Sequence, residues 1–252
     1  MDLSSLAKAP PTSTMPKYTP NQHLSHFTST PPHPSALQPA PPTHDQTSTE
    51  TPKRPLPPNI TIEPTTASTL PSFRRILTLL LPIRYPDNFY SESITSPGPS
   101  SLSHVATWLQ PVRAFRQDHA SSSSSPLVDP LSPAPISVVG GIQCRLEPSP
   151  NDPPSQHLYI QTLAILSPYR GLGIATSLLN TIITTALTHH ERVTEIYAHV
   201  WEANEEALGW YLRRGFSMES GVVKGYYRRL KPGGARVVRR RLGVGDWVGL
   251  VG

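Results

Sequence analysis

Between His157 and Thr188 a β-type segment, HLYIQTLAIL, runs through the loop SPYRGLG into a helix-periodic stretch. Apolar residues at Ile174, Leu178, Leu179, Ile182, Ile183, Ala186 and Leu187 recur with the 3.6-residue period of an amphipathic helix. Gly171 and Gly173 in the connecting loop allow close backbone approach. The helix start aims unpaired N–H groups and a positive dipole outward. Such a turn can cradle a diphosphate, and it also suits a plain tight strand-to-helix connection. No GK[ST] follows, which excludes a nucleoside triphosphatase loop, and no third glycine completes a dinucleotide fingerprint.

The flanking sequence extends the pattern. Ile60 to Ile62 alternates like a short strand, and Ser68 to Leu81 carries a helical stripe at Leu70, Phe73, Ile76, Leu77, Leu80 and Leu81. LPIRYPDNFY then reads as a loop rich in aromatics and prolines. Ser101 to Gln110 and Ile136 to Leu146 read as strands, and Glu147 to Ser155 as a turn. Beyond the central helix come a strand at Val193 to Val200 and a helix at Asn204 to Arg214, stopped by Gly215. A strand or hairpin at Phe216 to Leu230 and a last strand at Ala235 to Leu242 complete the series. This order predicts an α+β domain over 59–242 with a mixed sheet rather than a doubly wound one.

The rest of the chain has a different texture. Residues 1–58 hold 14 of the 31 prolines, with much Ser and Thr. They are expected to be disordered, since they offer too little apolar area to offset their ordering entropy. The serine-rich 111–134 reads as a disordered insertion, and 243–252 as a short tail. The single cysteine, Cys144, excludes an intrachain disulfide and a cysteine-rich zinc module. The histidines show no metal-ligand spacing, so no metal is expected. The N-terminus lacks the apolar core of a signal peptide, and the run Ile76 to Ile83 is too short to span a bilayer. A soluble intracellular protein that does not engage membranes is expected.

About one helix after the glycine loop, Asn204 precedes Ala207-Leu208-Gly209-Trp210-Tyr211-Leu212-Arg213-Arg214-Gly215-Phe216. The pattern Asn, then Ala-x-x-x-Tyr-x-x-x-Gly-Phe, at this distance from Arg170-Gly-Leu-Gly-Ile-Ala175 resembles the GCN5-related N-acetyltransferase (GNAT) superfamily. Arg170 to Ala175 matches its [Gln/Arg]-x-x-Gly-x-[Gly/Ala] motif. LYIQTLAILSPYRGLGIAT, IYAHVWEANEEALGWYLRRGF and GYYRRL are similar to the NatE-type protein N-terminal acetyltransferases, whose substrate loop LPIRYPDNFY also resembles. The resemblance covers roughly Asn59 to Leu242 apart from the insertion.

The resemblance implies a mixed, mostly antiparallel sheet flanked by helices, with two central parallel strands splayed around acetyl-CoA. Backbone groups of Leu163, Ala164 and Ile165 would pair with its pantetheine arm, and an amide near Leu163 would polarise the thioester carbonyl. Amides of Arg170, Gly171, Leu172, Gly173, Ile174 and Ala175 would hold the pyrophosphate, and Asn204 the pantetheine. Tyr159 and His199 match the family's catalytic pair, and Tyr211 matches a tyrosine near the departing thiolate. Read without the resemblance, His199 is more often a packed strand histidine, and Tyr211 is equally a core aromatic. Leu81, Pro82, Ile83, Tyr85 and Gln161 would line a peptide pocket, with Tyr226 and Tyr227 offering hydroxyls. In that family the pocket admits an initiator Met; Leu81 stands where a Phe is usual and Gln161 where a Met is usual.

The reaction implied is acetylation of protein N-terminal α-amines, in the cytoplasm and also the nucleus. A lysine or small-amine acetyltransferase and a non-catalytic subunit of an N-terminal acetyltransferase complex are the other readings. The family further implies a place beside the NatA scaffold subunit on the ribosome. The net charge of +5 is local. Lys224, Arg228, Arg229, Lys231, Arg236, Arg239, Arg240 and Arg241 follow one another with no intervening acid, while the remaining 14 Lys and Arg face 17 Asp and Glu. This block suits either a solvated strand face or a salt-dependent contact with ribosomal RNA or an acidic partner, without sequence-specific nucleic-acid binding.

Overall fold

The computed structural model describes residues 55–81, 83–95, 98, 100–110, 136–243 and 245–246. The expectations for the Pro-rich tail up to residue 54, for Pro82, for the insertion and for most of the C-terminal tail lie outside the described residues.

Among the described residues, seven strands form one sheet: β1 (Ile60–Pro64), β2 (Ser103–Leu109), β3 (Ile136–Pro148), β4 (Gln156–Ile165), β5 (Val193–Trp201), β6 (Ser217–Met218) and β7 (Ala235–Arg241). Their order is β1-β2-β3-β4-β5-β7-β6. Every neighbouring pair is antiparallel except β4 with β5. The mixed, mostly antiparallel α+β architecture expected from the element order is therefore present. At the free end of the β2–β3 pair, Leu109 lies opposite Ile136.

Helices α1 (Leu70–Leu80), α2 (Asp87–Glu92), α3 (Ile174–His189) and α4 (Glu205–Leu212) cover the sheet. One core packs α3 on the sheet, with Leu178, Leu179, Ile182 and Ala186 against Ile142, Leu158, Ile160 and Ile196. A smaller core gathers Phe73, Ile76 and Leu77 of α1 with Phe89, Tyr90, Val105 and Ala164. Each of these α1 side chains contributes about 2 kcal/mol of burial. The contact is close because β3 carries Gly141 beneath it. A Cβ at Gly141 would sit 2.6 Å from Phe73 Cε2 and 2.8 Å from the His104 carbonyl oxygen.

Two expectations are corrected. LPIRYPDNFY is not wholly loop, because Asp87–Glu92 is helical and buries Phe89 and Tyr90. Pro86 sits at its N-cap in extended conformation and Asp87 complements the first turn. The segment Phe216 to Leu230 is not a hairpin. It pairs only at Ser217–Met218 and through one bridge, Val223 to Ala235. Gly221 and Gly225 there have φ of 94° and 69°, which forces turns between.

Candidate active site

The parallel pair β4–β5 runs from Gln156–Val193, past a one-residue shift, through His157–Glu195 to Ile160–Ala198 and has no partnered residues beyond. Gln161 to Ile165 continue along β3 on the other side. Toward β5 they leave an open edge of backbone groups, the splay that the family resemblance implied. Leu163, Ala164 and Ile165 lie on this edge; the Ile165 carbonyl accepts from Arg170 Nε at 3.1 Å. The edge ends in a loop where Gly171 and Gly173 take φ of 75° and 84°, with Gly173 as the N-cap of α3. Among the described residues, the N–H groups of Gly171 to Thr176, which include Leu172, Ile174 and Ala175, donate to no protein acceptor. An open strand edge leading to a fan of unpaired donors at a sixteen-residue helix suits a ligand with an amide-bearing arm and a phosphate end. Arg214, from the end of α4, braces this helix start by donating to Thr176 Oγ1 at 2.6 and 3.0 Å.

Asn204 is the N-cap of α4, its side-chain oxygen accepting from the Ala207 N–H at 3.1 Å. Tyr211, one of the expected site residues, is buried in edge contact with Trp210 and Phe216. Burial raises its phenol above the ordinary range, with Cys144 and Tyr227 adding to the effect.

Tyr159 and His199 come together where the strands part, with ring centroids 5.6 Å apart. The Tyr159 hydroxyl bonds the Tyr226 hydroxyl at 2.7 Å, and Tyr226 stacks on His199 at 4.4 Å. Tyr227 donates its hydroxyl to the His199 carbonyl at 3.0 Å. Thus both tyrosines of the GYYRRL turn close over the histidine. Burial lowers the His199 pKa from 6.5 to about 4, so the imidazole is neutral at neutral pH. Its Nδ1 is buried without a hydrogen-bond partner among the described residues. Burial and the Tyr226 contact push the Tyr159 phenol well upward, so it too is neutral.

Tyr85 faces this cluster from the α1–α2 connection. It stacks on Phe89 at 4.1 Å and is pushed upward by burial and by the nearby Tyr227 and Tyr226. Leu81 and Ile83 are half-buried beside it, and Gln161 is half-buried on the floor. Arg74 ties α2 to α1, pairing with Asp87 at 2.8 Å and covering the Tyr90 ring at 4.6 Å. Gln143, fully buried on β3, donates to the Phe89 carbonyl at 2.9 Å. Sequence reasoning missed Gln143, Phe89 and Tyr90, because only the tertiary fold places a β3 side chain under α2.

It also missed Tyr197, Arg145 and Glu147. Tyr197 stacks on Tyr159 at 4.8 Å, and its position two residues before His199 on one strand is a readable signal. Arg145 lies over Tyr159 at 5.2 Å and binds Glu147 at 2.6 and 2.8 Å. No register is visible in a sequence, so neither residue was accessible that way.

The basic block is less exposed than its sequence suggests. Arg239 binds Glu219 at 2.7 Å and Glu195 at 2.9 Å, and Arg240 binds Asp246 at 2.7 Å. Arg236 donates to the Gly221 carbonyl. Lys224, Arg228, Arg229 and Lys231 are exposed on the turn that carries Tyr226 and Tyr227. Among the described residues no group of three or more His, Cys, Asp or Glu side chains could hold a metal ion, and no helix is long and apolar enough to cross a membrane.

Comparison with known proteins gives concordant results. The profile of the acetyltransferase (GNAT) family matches residues 97–216. N-alpha-acetyltransferase 50 of Danio rerio is 38% identical over 104 residues, 41% of this chain and 59% of that protein. The probable N-acetyltransferase san of Drosophila melanogaster is 35% identical over 105 residues, 42% of this chain and 54% of that protein. The chain thus spans little more than half the length of these curated relatives. Among solved structures, Arabidopsis thaliana Naa50 in complex with a bisubstrate analogue, CoA-Ac-MVNAL, superposes with a TM-score of 0.54 at 25% identity. That match covers 73% of this chain and 99% of the other. Arabidopsis thaliana NAA60 with a bisubstrate analogue gives a TM-score of 0.55 at 19% identity over 73% of this chain and 99% of the other, a likeness of fold.

Proposed function

We propose that the chain carries an acetyltransferase of the GNAT family, whose profile matches residues 97–216, and that it transfers acetyl from acetyl-CoA to the α-amine of protein N-termini. The observation that carries this reading is the unzipping of β4 from β5 directly above Tyr159 and His199. The relatives named for N-terminal acetylation, and the solved complex with a CoA–peptide conjugate, support it.

Acetyl-CoA, when bound, supplies an acetyl group activated as a thioester. Leu163 to Ile165 would line its arm, and the amides of Gly171 to Ala175 would receive its phosphates. The substrate chain would lie between Tyr85 and the Tyr226–Tyr227 turn, with Leu81 and Ile83 beside its first side chain; a Met at that position is part of the proposal. An α-amine has a pKa of about 8, so it needs less help to lose its proton than a lysine side chain at about 10.4. His199, neutral at neutral pH, accepts that proton as the nitrogen is acylated, while the Tyr159 hydroxyl orients the amine. Tyr211 stands as the donor to the leaving thiolate.

The exposed Lys224, Arg228, Arg229 and Lys231 beside the slot suit a salt-dependent contact with ribosomal RNA as chains emerge. That contact, a scaffold subunit and a cytoplasmic setting belong to the same reading. Mass spectrometry of Met-Leu peptides incubated with enzyme and acetyl-CoA tests it: acetyl should appear on free N-termini. Transfer confined to lysines of N-terminally blocked peptides would overturn it.

A further inference from the structure

Four side chains form a row across the sheet at one level. Arg145 of β3 lies opposite Tyr159 of β4, Tyr159 opposite Tyr197 of β5, and Tyr197 opposite Arg239 of β7. Each tyrosine thus carries a guanidinium: Arg145 lies 5.2 Å from the Tyr159 centroid and Arg239 4.8 Å from that of Tyr197. The two phenol rings stack on each other between these cations. The next row on the same face reads Glu147, His157, Glu195 and Arg241. It clamps the first row at both ends. Glu147 holds Arg145 through Oε1 and receives the Tyr197 hydroxyl on Oε2, while Glu195 holds Arg239.

We infer that Glu147 and Tyr197 are positioning residues that fix the Tyr159 hydroxyl at the reaction site. The inference rests on the acetyl-transfer reading above but concerns residues which that reading leaves unused. Among the described residues, the Tyr159 hydroxyl has one hydrogen bond, to Tyr226, and no other partner there dictates where the ring sits. Its ring plane is set by Arg145 on one side and Tyr197 on the other, and a single carboxylate, Glu147, holds both of these. A side chain that ties two supports of one phenol acts on catalysis through that phenol. A displacement of about 1 Å in such a group lowers rates by roughly a hundredfold.

The test is a set of variants at Glu147 in two backgrounds. Glu147→Ala should lower kcat about tenfold or more, with KM for peptide and acetyl-CoA changed less than about twofold. Glu147→Gln, whose oxygen can still accept from Arg145 while its amide donates to the Tyr197 hydroxyl oxygen, should recover part of the loss, and Tyr197→Phe should reproduce part of it. In a Tyr159→Phe background, Glu147→Ala should have no further effect on kcat. An equal loss in both backgrounds would overturn the proposal, since it would show that Glu147 acts independently of Tyr159. A second readout needs no substrate. In protein labelled at tyrosine Cζ, the resonance assigned by its loss in Tyr159→Phe should shift or broaden in Glu147→Ala and return in Glu147→Gln. An unmoved Tyr159 resonance would sink the inference even if the enzyme proved to act on another amine. Absence of α-amine transfer by the wild-type protein would instead count against the reaction assigned above.

Discussion

At the scale of single residues, His199 combines two opposed properties. Burial pushes its pKa to about 4, which guarantees a free lone pair at neutral pH but makes the ring a weak base. A weak base is sufficient when the nucleophile loses acidity control only as its bond forms, and when the amine is already partly neutral at about pH 8. Two outcomes follow. The kcat/KM profile should rise through the substrate amine near pH 8 and show no inflection near the ordinary histidine value of about 6.5. An inflection at the ordinary value, lost in His199→Ala, would show that His199 is solvated during turnover. His199→Ala should itself lower kcat by about 10²-fold or more, the usual contribution of a positioned base. Family resemblance pointed to His199, Tyr159 and the tyrosine pair as site candidates. It could not mark Arg145 or Gln143, whose roles depend on which residue of another strand lies opposite or above.

At the scale of elements, the close approach of α1 to β3 is the most exposed to change. An added methyl at Gly141 meets an aromatic carbon at 2.6 Å and a backbone carbonyl at 2.8 Å, and the carbonyl cannot rotate away. Gly141→Ala should therefore cost about 1–3 kcal/mol in urea unfolding, the usual range for overpacking. Because α1 leads directly into Leu81, Ile83 and Tyr85, the same variant should raise KM for peptide more than KM for acetyl-CoA. Gly171→Ala is the contrasting case. Nothing lies within 4 Å of its added Cβ, so only the positive φ is strained. A loss of about 1–2 kcal/mol is expected, accompanied by a higher KM for acetyl-CoA. The strands and the two longer helices were legible because their apolar residues repeat with one period. Helix α2 was not, since Pro86 and the aromatics of a short segment read as loop until Gln143 and Arg74 fix it in place. The turns after Met218 escaped for the converse reason: Val222, Val223, Tyr226 and Tyr227 are β-formers placed on glycines with positive φ.

At the scale of the whole molecule, buried histidines make stability depend on pH. Burial lowers His104 and His199 from 6.5 to about 4, and His157 moves in the same direction. Below about pH 6.5 the unfolded chain binds protons that the folded chain refuses until about pH 4, so stability falls as pH drops through that window and is unaffected above it. Each of the two deeper histidines contributes at most about 3 kcal/mol. The urea midpoint should decline from about pH 6.5 to about pH 4.5, and a flat response would mean these rings are hydrated in solution. The positive end of the chain is likewise more settled than composition suggests, since Arg239 and Arg240 belong to ion pairs. One pairing at the molecule's margin remains. Leu109 and Ile136 face each other as the feet of a hairpin, so the sheet's register there is fixed by the two strands and not by the stretch that joins them. Chain length between those feet is then an adjustable quantity for the fold. A variant with residues 110–135 replaced by Asn-Gly should keep the β2–β3 ladder intact.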